Sequence, residues 1–167
     1  PSSSSAASDV YKRQTQWIET HEQLRDEFNL KFFSWLSAVD WDNDVSVGEA
    51  PKESVTPCFE LITCLSDVEN TNLITVSTTI DKSEPQIDSL VEIYEGANWH
   101  EREAYEMFGI SFANHPNLEK LYLPDGYEGN PMLKSFELIS REVKPWPGDV
   151  DVEGMPEDSE SGEPVDG

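Results

Sequence analysis

The stretch from residue 57 to residue 80 decides the fold class. It runs Pro57-Cys-Phe-Glu-Leu-Ile-Thr-Cys-Leu-Ser66, Asp67-Val-Glu-Asn-Thr71 and Asn72-Leu-Ile-Thr-Val-Ser-Thr-Thr-Ile80. Apolar residues alternate with polar ones on both sides of the short polar loop, as they do in the two strands of an antiparallel hairpin. The sequence therefore predicts strands over about 57–66 and 72–80.

Helical periodicity flanks this hairpin on both sides. Upstream, an apolar stripe over 15–28 that includes His21 predicts a helix, and a lone histidine on such a stripe is more often packed and hydrogen-bonded than a ligand. Downstream, similar spacing predicts helices over about 86–95 and 98–108. Residues 31–42 fit a helix and a strand equally well; in a strand, one face would carry Phe33, Trp35, Val39 and Trp41. The pattern as a whole predicts an α+β domain.

The helix over 98–108 carries signals at both ends. Asn98 can cap it, Glu101 stands three residues on as in a capping box, and Gly109 can take the left-handed stop position. Arg102 and Glu106 have the spacing of an i, i+4 ion pair. Glu101 shares a face with apolar residues, so its carboxylate is expected either to bond helix N–H groups or to be half-buried.

From 113 to 148 the chain is rich in proline and in apolar residues without helical or strand periodicity. We expect this segment to be an extended arm that lies on another subunit. A coil packed along the domain's own sheet is the alternative. Residues 149–167 hold eight acids and no base, a composition typical of a disordered tail.

Composition excludes several classes of function. A formal charge of −23 over 167 residues is unsuited to binding a phosphate backbone, and no apolar run is long enough to cross a bilayer. Cys58 and Cys64 lie too far apart on one strand for a disulfide and are expected to be buried thiols. Two cysteines cannot hold an iron–sulfur cluster by themselves. His100-Glu101 lacks the second histidine of a zinc protease, because position 104 is alanine.

Residues 1–14 are treated apart from the fold. They begin with a low-complexity Ser/Ala run, and Asp9-Val-Tyr-Lys-Arg-Gln14 resembles the translation of a sequencing adaptor. We interpret 1–14 as non-native and expect the natural N-terminus to be missing. The domains predicted from the sequence are then 15–112, the arm 113–148 and the tail 149–167.

Several motifs together resemble one known family. They are Trp99-His-Glu-Arg-Glu-Ala-Tyr-Glu-Met-Phe-Gly-Ile110, Phe112-Ala-Asn-His-Pro-Asn-Leu118, Leu121-Tyr-Leu-Pro124 and Tyr127-Glu-Gly-Asn-Pro131. They closely resemble the 30-kDa subunit family of respiratory complex I, the C component of the bacterial NADH-quinone oxidoreductase. The resemblance covers about 15–155, and its end, Val143-Lys-Pro-Trp-Pro-Gly148, is similar to the actinobacterial branch.

The resemblance implies a two-layer α+β domain with a small mixed sheet, in which about 32–41 is a strand. It implies a scaffold subunit without a catalytic site, cofactor site or metal site of its own. FMN, iron–sulfur clusters and quinone would then be held by partner subunits. The implied partners are the 49-kDa-type subunit and other subunits of the peripheral arm, on the cytoplasmic face of the cell membrane, with membrane contact only through the complex.

The resemblance also assigns signature and interface residues, which are Trp99, Glu101, Arg102, Glu103, Tyr105, Met107, Phe108, Gly109, His115, Pro116, Pro124, Gly129, Pro131 and Lys134. The chain departs from the family pattern at Asn114, Lys120, Asn130, Leu133 and Ser135. The family has an arginine at position 133 and an aspartate at 135, so these two changes bear on how the arm docks. Two alternative functions are the equivalent subunit of a membrane-bound hydrogenase and a hydrolase using Glu101 and Glu103 as acid and base.

Overall fold

The structure, a computed structural model, describes residues 16–45 and 49–137. The predictions for 1–14, for the arm beyond residue 137 and for the tail 149–167 lie outside the described residues. The chain forms helix α1 over 16–26, strands β1 (Phe32–Trp41), β2 (Cys58–Asp67), β3 (Asn72–Ile80) and β4 (Gln86–Asp88), helix α2 (Ala97–Phe108) and strand β5 (Ser111–Ala113). This confirms the α+β class.

The strands form two separate sheets. The first is antiparallel in the order β1-β2-β3, and the second is a parallel pair of β4 and β5. In the hairpin, Phe59 lies opposite Ile80 and Asp67 opposite Asn72, which confirms the pairing expected from the short loop. Parallel and antiparallel pairs are thus both present, in two sheets.

Strand β1 has a register irregularity between Phe33 and Trp35. Phe33 lies opposite Leu65 on the inner face, whereas Trp35 lies opposite Cys64 on the outer face. A bulge adds one unpaired residue, which shifts the alternation that follows it. The expectation that Phe33 shares a face with Trp35, Val39 and Trp41 is therefore wrong for Phe33, and the inner face continues through Leu36, Ala38 and Asp40.

Helix α1 packs on the inner face of the first sheet through Trp17 and His21. The His21 side chain is fully buried, with Nδ1 2.7 Å from the Trp17 carbonyl oxygen and Nε2 2.9 Å from Thr63 Oγ1. Burial lowers the pKa of His21 despite the bond to Trp17. This confirms the packed, hydrogen-bonded interpretation of this histidine.

The helix predicted over 86–95 is wrong. Residues 86–88 form β4, in which Ile87 pairs with Phe112 of β5, and one turn closes by a bond from Tyr94 N–H to the Leu90 carbonyl oxygen at 2.8 Å. Ile87, Leu90 and Tyr94 are all buried, so the spacing identified core residues. A pairing partner more than twenty residues away in the chain decided their backbone geometry.

Both cysteines are free, and they stand on β2. Cys64 is buried, as expected, whereas Cys58 is only partly covered. Burial, with the nearby Glu60 carboxylate, raises the pKa of the Cys58 thiol. Within 16–45 and 49–137, no group of histidine, cysteine and acidic side chains could hold a metal ion.

Candidate functional site

Most signature residues lie on helix α2 and on the chain that follows it. Gly96 precedes the helix with no side-chain cap, so the capping box predicted from Asn98 and Glu101 is wrong. At the other end, Gly109 has a φ of 77° and donates its N–H to the Tyr105 carbonyl oxygen. This confirms the predicted left-handed stop, a conformation that favours glycine.

Glu101 is fully buried and makes its hydrogen bonds outside its own helix. Its carboxylate accepts a 2.6 Å bond from the Ser89 hydroxyl and a 2.6 Å bond from the Leu90 backbone N–H. Burial raises the pKa of Glu101 to about 7, although both bonds oppose the shift. Its partners are thus Ser89 and Leu90, not N–H groups of its own helix, and Glu101 connects α2 to the turn that follows β4.

His115, in the loop after β5, approaches the same carboxylate. Its Nε2 is 3.9 Å from a Glu101 oxygen, and its side chain is fully covered. Nε2 is also 3.2 Å from the Asn98 carbonyl oxygen, while Nδ1 accepts the Asn117 N–H at 3.0 Å. Because Nδ1 accepts and Nε2 faces a carbonyl, the bonds select the neutral tautomer protonated at Nε2. Burial lowers the pKa of His115, and the charge of Arg102 acts in the same direction.

Glu106 holds the segment after the signature helix. One carboxylate oxygen accepts the N–H groups of Leu121 and Tyr122, each at 2.9 Å, and the other accepts the Leu123 N–H at 2.6 Å. Burial acts to raise the pKa of Glu106, but these three bonds together hold it below the usual value. The carboxylate is thus ionised and serves as an anchor for residues 121–123.

Arg102 contacts the same segment from the next turn of the helix. Its Nε donates to the Glu119 carbonyl oxygen at 2.9 Å and its Nη2 to the Lys120 carbonyl oxygen at 3.2 Å. The guanidinium also lies 5.8 Å from the ring centre of Trp99, which is 64% exposed. The predicted Arg102–Glu106 ion pair is wrong, because both side chains bond backbone groups of residues 119–123 instead.

The chain returns to the domain again between residues 130 and 134. The Asn130 side-chain amide donates to the Glu106 carbonyl oxygen at 2.9 Å, and the Met132 N–H donates to the Met107 carbonyl oxygen at 3.1 Å. The Lys134 N–H donates to the buried carboxylate of Asp40 at 2.7 Å. We call residues 118–136 the docked segment.

The docked segment bears on the prediction for the arm. Leu118 and Leu133 pack against the domain's own core, so the first part of the segment predicted as an arm returns to its own domain. The alternative of a coil packed on the domain describes it better. Its outer surface still carries exposed Tyr122 and Met132, and binding of a partner by the arm stays a prediction.

Some departures from the family pattern have local roles in the structure. Asn114 has a φ of 62°, a left-handed conformation that asparagine tolerates better than most residues. Leu133, at the family's arginine position, contacts the core, and Ser135 is exposed. Lys120 donates from its ammonium group to the Tyr127 carbonyl oxygen at 2.7 Å.

The other signature residues divide between core and surface. Phe108 is buried and packs edge-on to Phe59, while Tyr105 and Met107 pack partly buried against the core. Glu103 and Pro131 are half-buried, and Pro116, Pro124, Gly129 and Lys134 are exposed. The structure therefore brings Glu101 together with His115, and Glu106 with the docked segment, but it does not collect the whole signature into one pocket.

Sequence reasoning missed a charge cluster at the end of the first sheet. Lys82 forms ion pairs with Asp40 and Asp42 and lies 5.4 Å from the ring centre of Phe59. The Asp40 side chain is 2% exposed. Asp40 at an inward position of β1 would have predicted a buried cation partner. The sequence did not reveal the bulge, so the inward face of β1 could not be identified.

The arrangement gives little support to acid–base hydrolysis by Glu101 and Glu103. Glu101 is buried and engaged by Ser89 and Leu90, whereas a general acid must reach the atom that it protonates. Two surface cavities of about 230 and 180 Å³ are lined by residues of 29–69 and 16–78 respectively, and neither reaches these two acids.

Among the described residues, no helix is long and apolar enough to cross a membrane.

Comparisons with known proteins agree with the sequence motifs. A family model described as the 30-kDa subunit of the respiratory-chain NADH dehydrogenase matches residues 10–142. The C component of NADH-quinone oxidoreductase from Roseiflexus sp. (strain RS-1) is 34% identical over 136 residues, which are 80% of this chain and 72% of that protein. The combined C/D component of NADH-quinone oxidoreductase from Acinetobacter baylyi (strain ATCC 33305 / BD413 / ADP1) is 33% identical over 111 residues, which are 66% of this chain and 18% of that protein.

A solved structure shows the same fold. It is a chain of the membrane-bound sulfane sulfur reductase, an archaeal respiratory membrane complex. The TM-score is 0.54 at 22% identity, over 71% of this chain and 68% of that one. At this identity the likeness concerns the fold alone.

Proposed function

Because the chain belongs to the family of the 30-kDa subunit of the respiratory-chain NADH dehydrogenase, we propose that it is a non-catalytic scaffold subunit of the peripheral arm of a proton-translocating NADH:quinone oxidoreductase. The whole complex transfers electrons from NADH to quinone. In this proposal FMN, the iron–sulfur clusters and quinone are held by partner subunits. The role of the chain in this proposal is to bind those partner subunits through its surface.

The observation that carries this proposal is that the two buried acids of α2 bond groups inside the protein. Glu106 accepts three backbone N–H groups of the docked segment, and Glu101 accepts bonds from Ser89 and Leu90. Acids fully engaged in this way shape the protein and are not free to act on a substrate. Glu106 holds a proline-punctuated segment on which Tyr122 and Met132 are exposed, and exposed apolar side chains of this kind are used by subunit interfaces.

We propose that the main partner is the 49-kDa-type subunit, the D component of the oxidoreductase. The matching region of the Acinetobacter baylyi protein is part of a much longer protein whose name combines C and D, which supports adjacency of the two subunits. The location proposed is the cytoplasmic face of the membrane, as a peripheral component.

Assembly in a bacterium whose own gene for the 30-kDa subunit is deleted tests this function. We expect the tagged chain to enter a membrane-bound complex and to restore NADH:quinone electron transfer in membranes. Recovery of the chain only as a free protein, with no restored activity, would refute the proposal. The chain purified alone should carry neither flavin nor iron, and a stoichiometric amount of either would contradict the assignment of the cofactors to partners.

A matched pair of variants tests the role of the docked segment. Tyr122→Asp adds a charge to its exposed surface and is expected to reduce the amount of assembled complex at least several-fold. Glu92→Gln, an exposed change on the same domain, should leave assembly unchanged. If the Tyr122→Asp variant assembles as well as the unaltered chain, this surface is not part of the interface.

A further inference from the structure

A fully buried acid joins three elements at the centre of the domain. Glu101 of α2 bonds the turn after β4 through Ser89 and Leu90 and approaches His115 in the loop after β5. None of these contacts comes from a lysine or an arginine. A buried carboxylate without a cation is costly to ionise, so the arrangement favours binding of a proton.

The hydrogen bonds fit both protonation states of this acid. In the ionised form, the Ser89 hydroxyl donates to Glu101 Oε2 across 2.6 Å. In the protonated form, Oε2–H can donate to Ser89 Oγ across the same distance, since a hydroxyl is both a donor and an acceptor. Ser89 Oγ already accepts the Val91 N–H at 3.2 Å, and the Leu90 N–H continues to serve Oε1. The proton can therefore come and go without movement of a heavy atom.

His115 does not supply the missing positive charge. Its Nδ1 accepts the Asn117 N–H and its Nε2 faces the Asn98 carbonyl oxygen, so a second ring proton would break the bond to Asn117. On α2, the guanidinium of Arg102 bonds the Glu119 and Lys120 carbonyl oxygens and makes the imidazolium of His115 less favourable. Ser89 and Leu90, which the turn after β4 contributes, carry no charge.

We propose that Glu101 and Ser89, beside His115, form a reversible proton-binding site that ties α2 to the β4–β5 sheet. Glu101 takes one proton from water on binding and returns it to water on release, with no oxidation or reduction. Burial raises the pKa of Glu101 to about 7. A pKa near 7 is consistent with binding and release of the proton in the physiological range. The site adds a ligand, the proton, to a domain for which the proposed function requires none.

Infrared spectroscopy of the full chain tests the site, because a protonated carboxylic acid has a C=O stretching band separate from that of a carboxylate. Between about pH 5 and about pH 9, we expect one such band to disappear with a midpoint near neutrality. The band should be missing in Glu101→Gln and unchanged in the exposed control Glu92→Gln. A Glu101 that is ionised throughout this range would overturn the proposal.

Two further variants keep the test decisive if Glu101→Gln fails to fold. Ser89→Ala removes the donor to the carboxylate and should move the midpoint upward; an unchanged midpoint would count against the role of Ser89. His115→Gln should leave the carboxylic acid band in place. If the band disappears in His115→Gln, protonation of Glu101 depends on the imidazole, and a site made by Glu101 and Ser89 without His115 is wrong.

Discussion

Replacement of Glu106 by glutamine should release the docked segment from helix α2. The carboxylate accepts three backbone N–H groups, from Leu121, Tyr122 and Leu123. A glutamine can keep its amide oxygen near the first two, but its NH₂ group then faces the Leu123 N–H, donor against donor. The change therefore removes the negative charge from two bonds and destroys the third.

The size of the effect follows from the cost of these losses. A hydrogen bond to a charged group contributes about 1.5 to 3 kcal/mol and a neutral one about 1 kcal/mol, and a stranded donor costs about 1 to 3 kcal/mol more. Because residues 121–123 are partly open to solvent, we take the lower part of this range. The docked segment should open more easily by about 3 kcal/mol, equivalent to roughly a 100-fold change in the opening equilibrium.

Hydrogen exchange of backbone amides measures this opening directly. The amides of residues 121–123 should exchange roughly 100-fold faster in Glu106→Gln, whereas amides in the centre of β2 should change little. Glu119→Gln is the matched control, because the bonds that Glu119 makes in this region use its backbone carbonyl oxygen and N–H. Unchanged protection at 121–123 would refute the reasoning, since the anchor would then contribute nothing.

Three further changes should alter stability in defined directions. The pKa of Glu101 rises from 4.5 to about 7 on folding. Glu101 therefore stabilises the fold fully below about pH 4.5 and loses that contribution as the pH rises through about 7. Glu101→Gln should remove about 3 kcal/mol of pH dependence from the free energy of unfolding, measured across this range. Lys82→Met leaves the buried Asp40 without its cation and should cost about 3 kcal/mol in urea unfolding; a neutral result would mean that water reaches Asp40. Leu61→Ala opens a cavity in the fully buried centre of β2 and should cost about 3 kcal/mol by the same assay, and a loss below about 1 kcal/mol would indicate a core that collapses around it.

Local patterns were sufficient wherever the partner of a residue stood nearby in the chain. The hairpin of β2 and β3 was predictable because a short loop fixes the register of its two strands. The left-handed end of α2 at Gly109 was predictable because few other residues adopt that conformation. The packing of His21 against the sheet followed from its place on an apolar stripe.

Predictions failed where distant groups compete for the same residue. Glu101 has the spacing of a capping box, but Ser89 and Leu90 offer it bonds in the interior. Arg102 and Glu106 have the spacing of an ion pair, but backbone groups of the docked segment engage both of them. Helical spacing over 86–95 marked the buried residues correctly, while pairing with β5 made the first of them a strand.

The sequence by itself determined the family, the α+β class, the antiparallel hairpin and some of the buried positions. Each of these depends on residue type and on short-range spacing, which a single chain displays directly. Only the tertiary structure decided the inward face of β1, the return of residues 118–136 to their own domain and the burial of Glu101 beside His115 without a lysine or arginine partner. Those features depend on which donors and acceptors meet across the fold, since a buried polar group takes the partner that space provides and not the nearest one in the chain.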